Sequence, residues 1–123
     1  VKDPHHPHPS EMTLIRVLGA ISDPIRLGLV RVLADDRERA WGELRAPVGK
    51  STLSHHLKVL RDAGITRTRQ EGTRCYVRLR RADLDTRFPG LLTALLHVAD
   101  ADRVGGEVGV ADSIPGSAVS RAG

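Results

Sequence analysis

Aromatic side chains are almost missing from this sequence: one Trp, one Tyr and one Phe make up 2% of its 123 residues. A core without large rings must be built from Leu, Val, Ile and Ala, and pairing with a second copy would bury further apolar area. Cysteine is nearly absent too. Cys75 alone cannot close an internal disulfide, which points to a reducing, cytoplasmic setting. Its alternation with Val77 and Leu79 marks it as a small core side chain rather than a redox sensor. No apolar run is long enough to cross a bilayer, and no apolar stretch follows a basic start, so neither a membrane span nor a signal peptide is expected. Nor is there a Ser–His–Asp spacing, a glycine-rich phosphate loop or a pocket-like carboxylate pair. Ser54 and His55 adjoin in sequence, but neighbouring residues on a helix do not face each other. The expectation is a non-enzyme without a cofactor.

What the chain does have is unevenly placed positive charge. Its net charge is +4, yet residues 50–81 hold nine basic side chains against Asp62 and Glu71, a local +7 that leaves −3 elsewhere. Such a patch attracts polyanions, of which nucleic acid is the commonest in a cytoplasm.

The order of elements gives that charge a shape. Residues 1–9, with three prolines and three histidines, read as an extended, poorly ordered arm. Ser10 is placed to cap a first helix carrying Met12, Leu14, Ile15, Leu18 and Ile21 at helical spacing. Asp23 followed by Pro24 is a clear start signal for a second helix, because proline at the first helical position loses no hydrogen bond. A brief third helix is expected around residues 42–46, stopped by Pro47 and Gly49. Ser51 then caps a fourth helix in which Leu53, Leu57 and Leu60 form the buried stripe and which Gly64 ends. Two alternating runs, residues 65–69 and 74–79, form a hairpin around Gly72, and LLTALLHVAD makes a last helix after Pro89-Gly90. Residues 102–123 read as a disordered tail, leaving 10–101 as the folded domain. Helices followed by a basic two-stranded wing make a small, mainly α, α+β chain: a winged helix-turn-helix.

The runs ISDPIRLGLVRVL (21–33), STLSHHLKVLRDAGI (51–65) and RTRQEGTRCYVRL (67–79) resemble the ArsR family of bacterial winged-helix repressors, over roughly residues 12–100. The resemblance implies a homodimer, packed through its first and last helices, that binds an inverted-repeat operator near its own promoter. Two departures stand out. The segment between Glu43 and Ser51 is about two residues shorter than is usual in the family, and WGELRAPV lacks the cysteine pair of the thiol-type metal sensors, so that metal site cannot exist here.

The partner expected is double-stranded DNA. Away from its leucine stripe the fourth helix presents Lys50, Ser51, Thr52, Ser54, His55 and Lys58, which suit base edges and phosphates in a major groove. The wing offers Arg69, Gln70, Thr73 and Arg74 around its tip, with Arg69 and Arg74 as the principal backbone contacts. Arg67, Arg78, Arg80 and Arg81, farther from the tip, are expected to include surface ion pairs with Asp62, Glu71 or Asp83. His56 lies beside the stripe and is assigned to the core. Leu14, Leu18, Leu92, Leu95 and Leu96 are assigned to a dimer interface. Two other readings stay open: a winged-helix module whose basic face meets an acidic protein, and a regulator using histidine and carboxylate metal ligands. For the second, His97 with Asp100 keeps helical spacing and His5, His6 and His8 crowd the arm, but one imidazole with carboxylates is a weak zinc set, so no metal site is assigned. The sequence names no effector, operator or target gene.

Overall fold

The computed structural model describes residues 3–111. Five helices, α1 (Leu14–Ile21), α2 (Pro24–Val32), α3 (Lys50–Asp62), α4 (Arg81–Arg87) and α5 (Leu91–Ala101), surround the strands β1 (Arg39–Ala40), β3 (Thr66–Glu71) and β4 (Arg74–Leu79). These strands form an antiparallel sheet in the order β1-β4-β3, and a separate short pair joins β2 (Leu44–Arg45) to β5 (Gly109–Val110). The architecture is an α+β winged helix-turn-helix. Leu29, Leu33, Leu57, Leu60, Ile65 and Val77 are fully buried where α2, α3 and the inner sheet face meet.

The local signals explain most boundaries. Asp23 Oδ1 accepts the backbone N–H groups of Ile25 (2.8 Å) and Arg26 (3.1 Å), capping α2 with Pro24 at its first position. At the end of α3, Ile65 N donates to Leu60 O and Gly64 N to Arg61 O, the double bond that a left-handed residue closes. Gly64 supplies that residue at φ 89, and Met12 packs so close that an added Cβ would sit 2.5 Å from its Cγ. In the wing Glu71 pairs with Arg74, leaving a two-residue loop that starts at Gly72 (φ 61).

Several expectations need correction. Ser10 does not cap α1. His8 caps a 3-10 turn over Pro9–Glu11, Met12 is extended and buried, and Thr13 Oγ1 caps α1 through Arg16 N. Gly49, not Ser51, is the cap of α3, so Ser51 lies inside the first turn. The expected third helix is a single 3-10 turn (Trp41–Glu43) running into β2, because Pro47 and Gly49 leave too little chain for a full helix and a turn. α4 was not expected: its seven residues bury only Leu84, which gives no apolar period to detect.

Both flanks are tied down. The arm lies along the outer edge of β3, where His6 Nε2 accepts from Thr68 N (2.9 Å) and Asp3 Oδ1 from Gln70 N (3.0 Å). Side chains thus occupy edge donors that would otherwise be open to another strand. At the other flank, the part of the predicted disordered tail up to Ala111 is built into the fold. Arg103 (φ 56) turns the chain after α5, Val108 is buried, and β5 pairs with β2. Among the described residues β2 has no other strand partner, and Ala111 N donates to Glu43 O beside the pair. The rest of that tail, from residue 112, lies outside the described residues.

Candidate nucleic-acid interface

The leucine stripe fixes how α3 presents itself. Leu57 and Leu60 are buried and Leu53 is half-buried, so Lys50, Ser51, Thr52, His55 and Lys58 are left exposed, with Ser54 half-exposed beside them. Because Gly49 offers no side-chain cap, the hydroxyl of Ser51 is not committed to its own helix. The first N–H groups of α3 likewise carry no side-chain acceptor, and such a terminus favours anions.

Behind this face His56 is only 8% exposed. Its Nδ1 lies 3.0 Å from Arg26 Nη1, while Arg26 Nε donates to Ala20 O. A guanidinium only donates, so Nδ1 is the acceptor and the imidazole proton sits on Nε2. Burial, with Arg26 and His55 acting in the same sense, holds the imidazole below its ordinary pKa, against the pull of Asp23. One guanidinium thus ties the last turn of α1, the start of α2 and the back of α3 together.

The wing differs from its expected wiring. Arg69 is not a free cation: it forks onto both oxygens of Glu38 (2.9 and 3.1 Å), reaches Glu71 Oε1, and stacks its guanidinium 4.4 Å from the Tyr76 ring centre. The paired carboxylates hold Arg69 more firmly protonated than usual, and Arg69 in turn lowers the Glu38 carboxyl. Arg69, expected to be a free backbone contact, here braces the outer sheet face. Glu38, just before β1, was not anticipated. Only its alternation with Arg39, whose neighbour in the sheet is Val77, marks it as pointing to the outer face.

Thr73 and Arg74 are exposed at the tip, and Arg74 has no carboxylate within ion-pair distance among the described residues. Gln70 is half-buried, its backbone N–H taken by Asp3 and its Nε2 3.5 Å from Gly72 O. Farther back, Arg80 is buried against Asp83 and Pro7 O, and Arg81 binds Asp36 and Ala34 O. Arg61 pairs with Asp62. Arg67 and Arg78, which face each other across β3 and β4, have no such partner among the described residues, so of the pairs looked for there Arg80 with Asp83 is the one that forms. Of the basic side chains between residues 50 and 81, those left without a carboxylate among the described residues are Lys50, Lys58, Arg67, Arg74 and Arg78.

The apolar residues assigned to an interface divide. Leu14 (46%) and Leu18 (37%) are exposed on α1, as are Ile15 (77%) beside them and Val98 (63%) on α5. Leu95 and Leu96 are half-buried against the core. Leu92 is 5% exposed and belongs to the core of its own chain, because α4 and α2 close over that side of α5. The suggested metal ligands are scattered: Asp100 pairs with Arg31, His6 with Thr68 N and His8 with Ser10, and no three such side chains group together among the described residues. No helix among those residues is long and apolar enough to cross a membrane.

A family model described as a helix-turn-helix domain matches residues 21–69, from the end of α1 through α3 and into the wing. The chain is 37% identical over 83 residues to an uncharacterized HTH-type transcriptional regulator of Bacillus subtilis (strain 168), covering 65% of this chain and 83% of that protein. It is 38% identical over 61 residues to an uncharacterized HTH-type transcriptional regulator of Methanocaldococcus jannaschii, covering 46% of this chain and 66% of that one. With a helix whose polar face and unpaired cations suit a nucleic acid, and a relative matched over most of its length, the chain belongs to the helix-turn-helix transcriptional regulators.

Proposed function

We propose that this regulator is a dimeric repressor of the ArsR type that reads an inverted-repeat operator, with α3 in the major groove and the wing tip on the adjoining backbone. The observation that carries the reading is the α3 face: hydroxyls, an imidazole and two ammonium groups stand exposed over a leucine-anchored back. In this reading Ser51, Thr52, Ser54 and His55 contact base edges or nearby phosphates, while Lys50, Lys58, Thr73 and Arg74 hold the backbone. Gln70 keeps a lesser role, and Arg69 acts by fixing the wing.

Dimerisation gives the exposed apolar residues of α1 and α5 a partner, and a twofold would set two copies of α3 about 34–36 Å apart, one helical turn of DNA. The test is binding of the purified chain to its own upstream DNA, followed by fluorescence anisotropy over a range of salt. His55→Ala should change sequence preference, whereas Lys58→Ala should weaken all sequences alike and reduce the salt slope by about one. Affinity that ignores salt would end the phosphate-contact reading.

A further inference from the structure

We propose that the groove between the Trp41 turn and α3 binds a small organic anion with an apolar body, an aromatic or short-chain carboxylate. The groove follows from the contraction ahead of α3. A single 3-10 turn stands where a helix would cover the leucine stripe, and Leu53 is only half-buried despite belonging to that stripe. The space left is about 390 Å³, walled by Trp41, Leu53 and Leu57 and edged by Arg45, Lys50 and Ser54. That volume falls in the range of small-molecule sites, which combine apolar walls with a few polar groups.

A further observation selects the ligand. Arg45 and Lys50 are exposed cations with no carboxylate in ion-pair distance among the described residues. Apolar walls with surplus cations fit a carboxylate carried on a hydrophobic body better than a bare inorganic anion.

Lys50 and Ser54 also belong to the face assigned to DNA, so an occupied groove competes with the operator. This second step rests on the proposed function. The first does not.

Trp41 is the only tryptophan, so its emission reports the groove directly. The full chain is titrated with salicylate, with octanoate and with inorganic phosphate at constant ionic strength. The expected result is a saturable change with either carboxylate and none with phosphate, and an apparent affinity weakened roughly tenfold in Arg45→Gln, as loss of a charge-assisted contact implies. Arg45 is exposed, so its melting temperature should match the parent and separate ligand loss from misfolding. No saturable change with either carboxylate, an equal response to phosphate, or unaltered binding by Arg45→Gln and Lys50→Gln together would overturn the site. Salicylate should also raise the apparent Kd for upstream DNA, by the factor one plus its concentration over its own Kd. A groove response without any DNA binding would sink the proposed function and leave the site standing. DNA binding without a groove response would do the reverse.

Discussion

Replacing Gly28 by alanine pits helix propensity against packing, and the structure decides the sign. Gly28 lies inside α2, where alanine would normally be favoured by about 1 kcal/mol. Here a Cβ would meet Val108 Cγ2 at 2.7 Å and the Gly105 carbonyl oxygen at 2.8 Å. A valine rotamer could relieve the first contact, but the second is backbone, so residues 102–111 would have to lift away. That movement exposes Val108, about 1.5–3 kcal/mol for a fully buried side chain. It also loosens the β2–β5 pair and the hydrogen bond from Arg31 to Val104 O, each about 0.5–1.5 kcal/mol net. After subtracting the propensity gain, Gly28→Ala should destabilise the chain by about 2 kcal/mol and lower its melting temperature by on the order of 10 °C. The assay is a double-mutant cycle of urea midpoints with a chain truncated after Ala101. In the truncated chain the obstacle is gone, and the same substitution should stabilise by up to about 1 kcal/mol. A full-length Gly28→Ala protein more stable than its parent would refute the packing of the C-terminal strap on α2.

Three further outcomes follow from the geometry. Arg74→Ala should lower the salt slope of DNA binding by about one, whereas Arg69→Ala should leave the slope nearly unchanged and soften the wing, because Glu38 and Glu71 already neutralise that cation. Equal slope losses would mean that Arg69 leaves its carboxylates when DNA binds. On acidification the unfolded chain protonates His56 near its ordinary 6.5, while the folded chain resists, so stability should hold above that pH and fall below it. His6 is held low by burial and by Arg67, Arg80 and Arg61, and shifts stability in the same direction, so urea midpoints at pH 7.5 and 5.5 need His56→Gln and His6→Ala in parallel. If neither variant flattens the pH dependence, the buried-imidazole account fails. Asp23, also held low by its capping bonds, enters only as the pH falls into and through the carboxylate range. Ile15→Glu, on the exposed side of α1, should yield a folded monomer by light scattering; an unchanged dimer would place the interface elsewhere.

What was legible in the sequence followed from short-range rules. Asp23-Pro24, the leucine stripe of α3, Gly64 and the Gly72 hairpin are each decided by residues within one turn of one another. Misplacements came where the partner is distant in the chain. Ser51 looks like a cap until the turn ahead of it contracts and shifts the start of α3 to Lys50. Arg69 looks free because Glu38 is 31 residues away, and Leu92 looks surplus because α4, which helps cover it, has no apolar period. The C-terminal segment reads as disordered from its Gly-rich composition, and nothing local reveals that Gly28 leaves a notch for Val108 or that β2 needs β5. Among the candidate DNA residues, exposure could be read wherever the helix period applies, as at Lys50, His55 and Lys58. It was misjudged on the sheet face at Arg69, which an ion pair to a distant carboxylate occupies.

Those distant contacts also determine what holds α3. From behind, α3 is fixed by the Arg26 bridge between His56 and Ala20 O, which belongs to the last turn of α1. From the front, the turn leading into it is fixed by β2, whose partner is the segment that leaves α5. α1 and α5 are also the helices that carry the four large exposed apolar side chains among the described residues, Leu14, Ile15, Leu18 and Val98. The contacts that orient α3 therefore run to the same two helices whose outer faces lack cover. Covering those faces would stiffen the supports of α3 at both ends. In a monomer the exposed polar face of α3 would stay as it is, but on supports whose outer faces are uncovered.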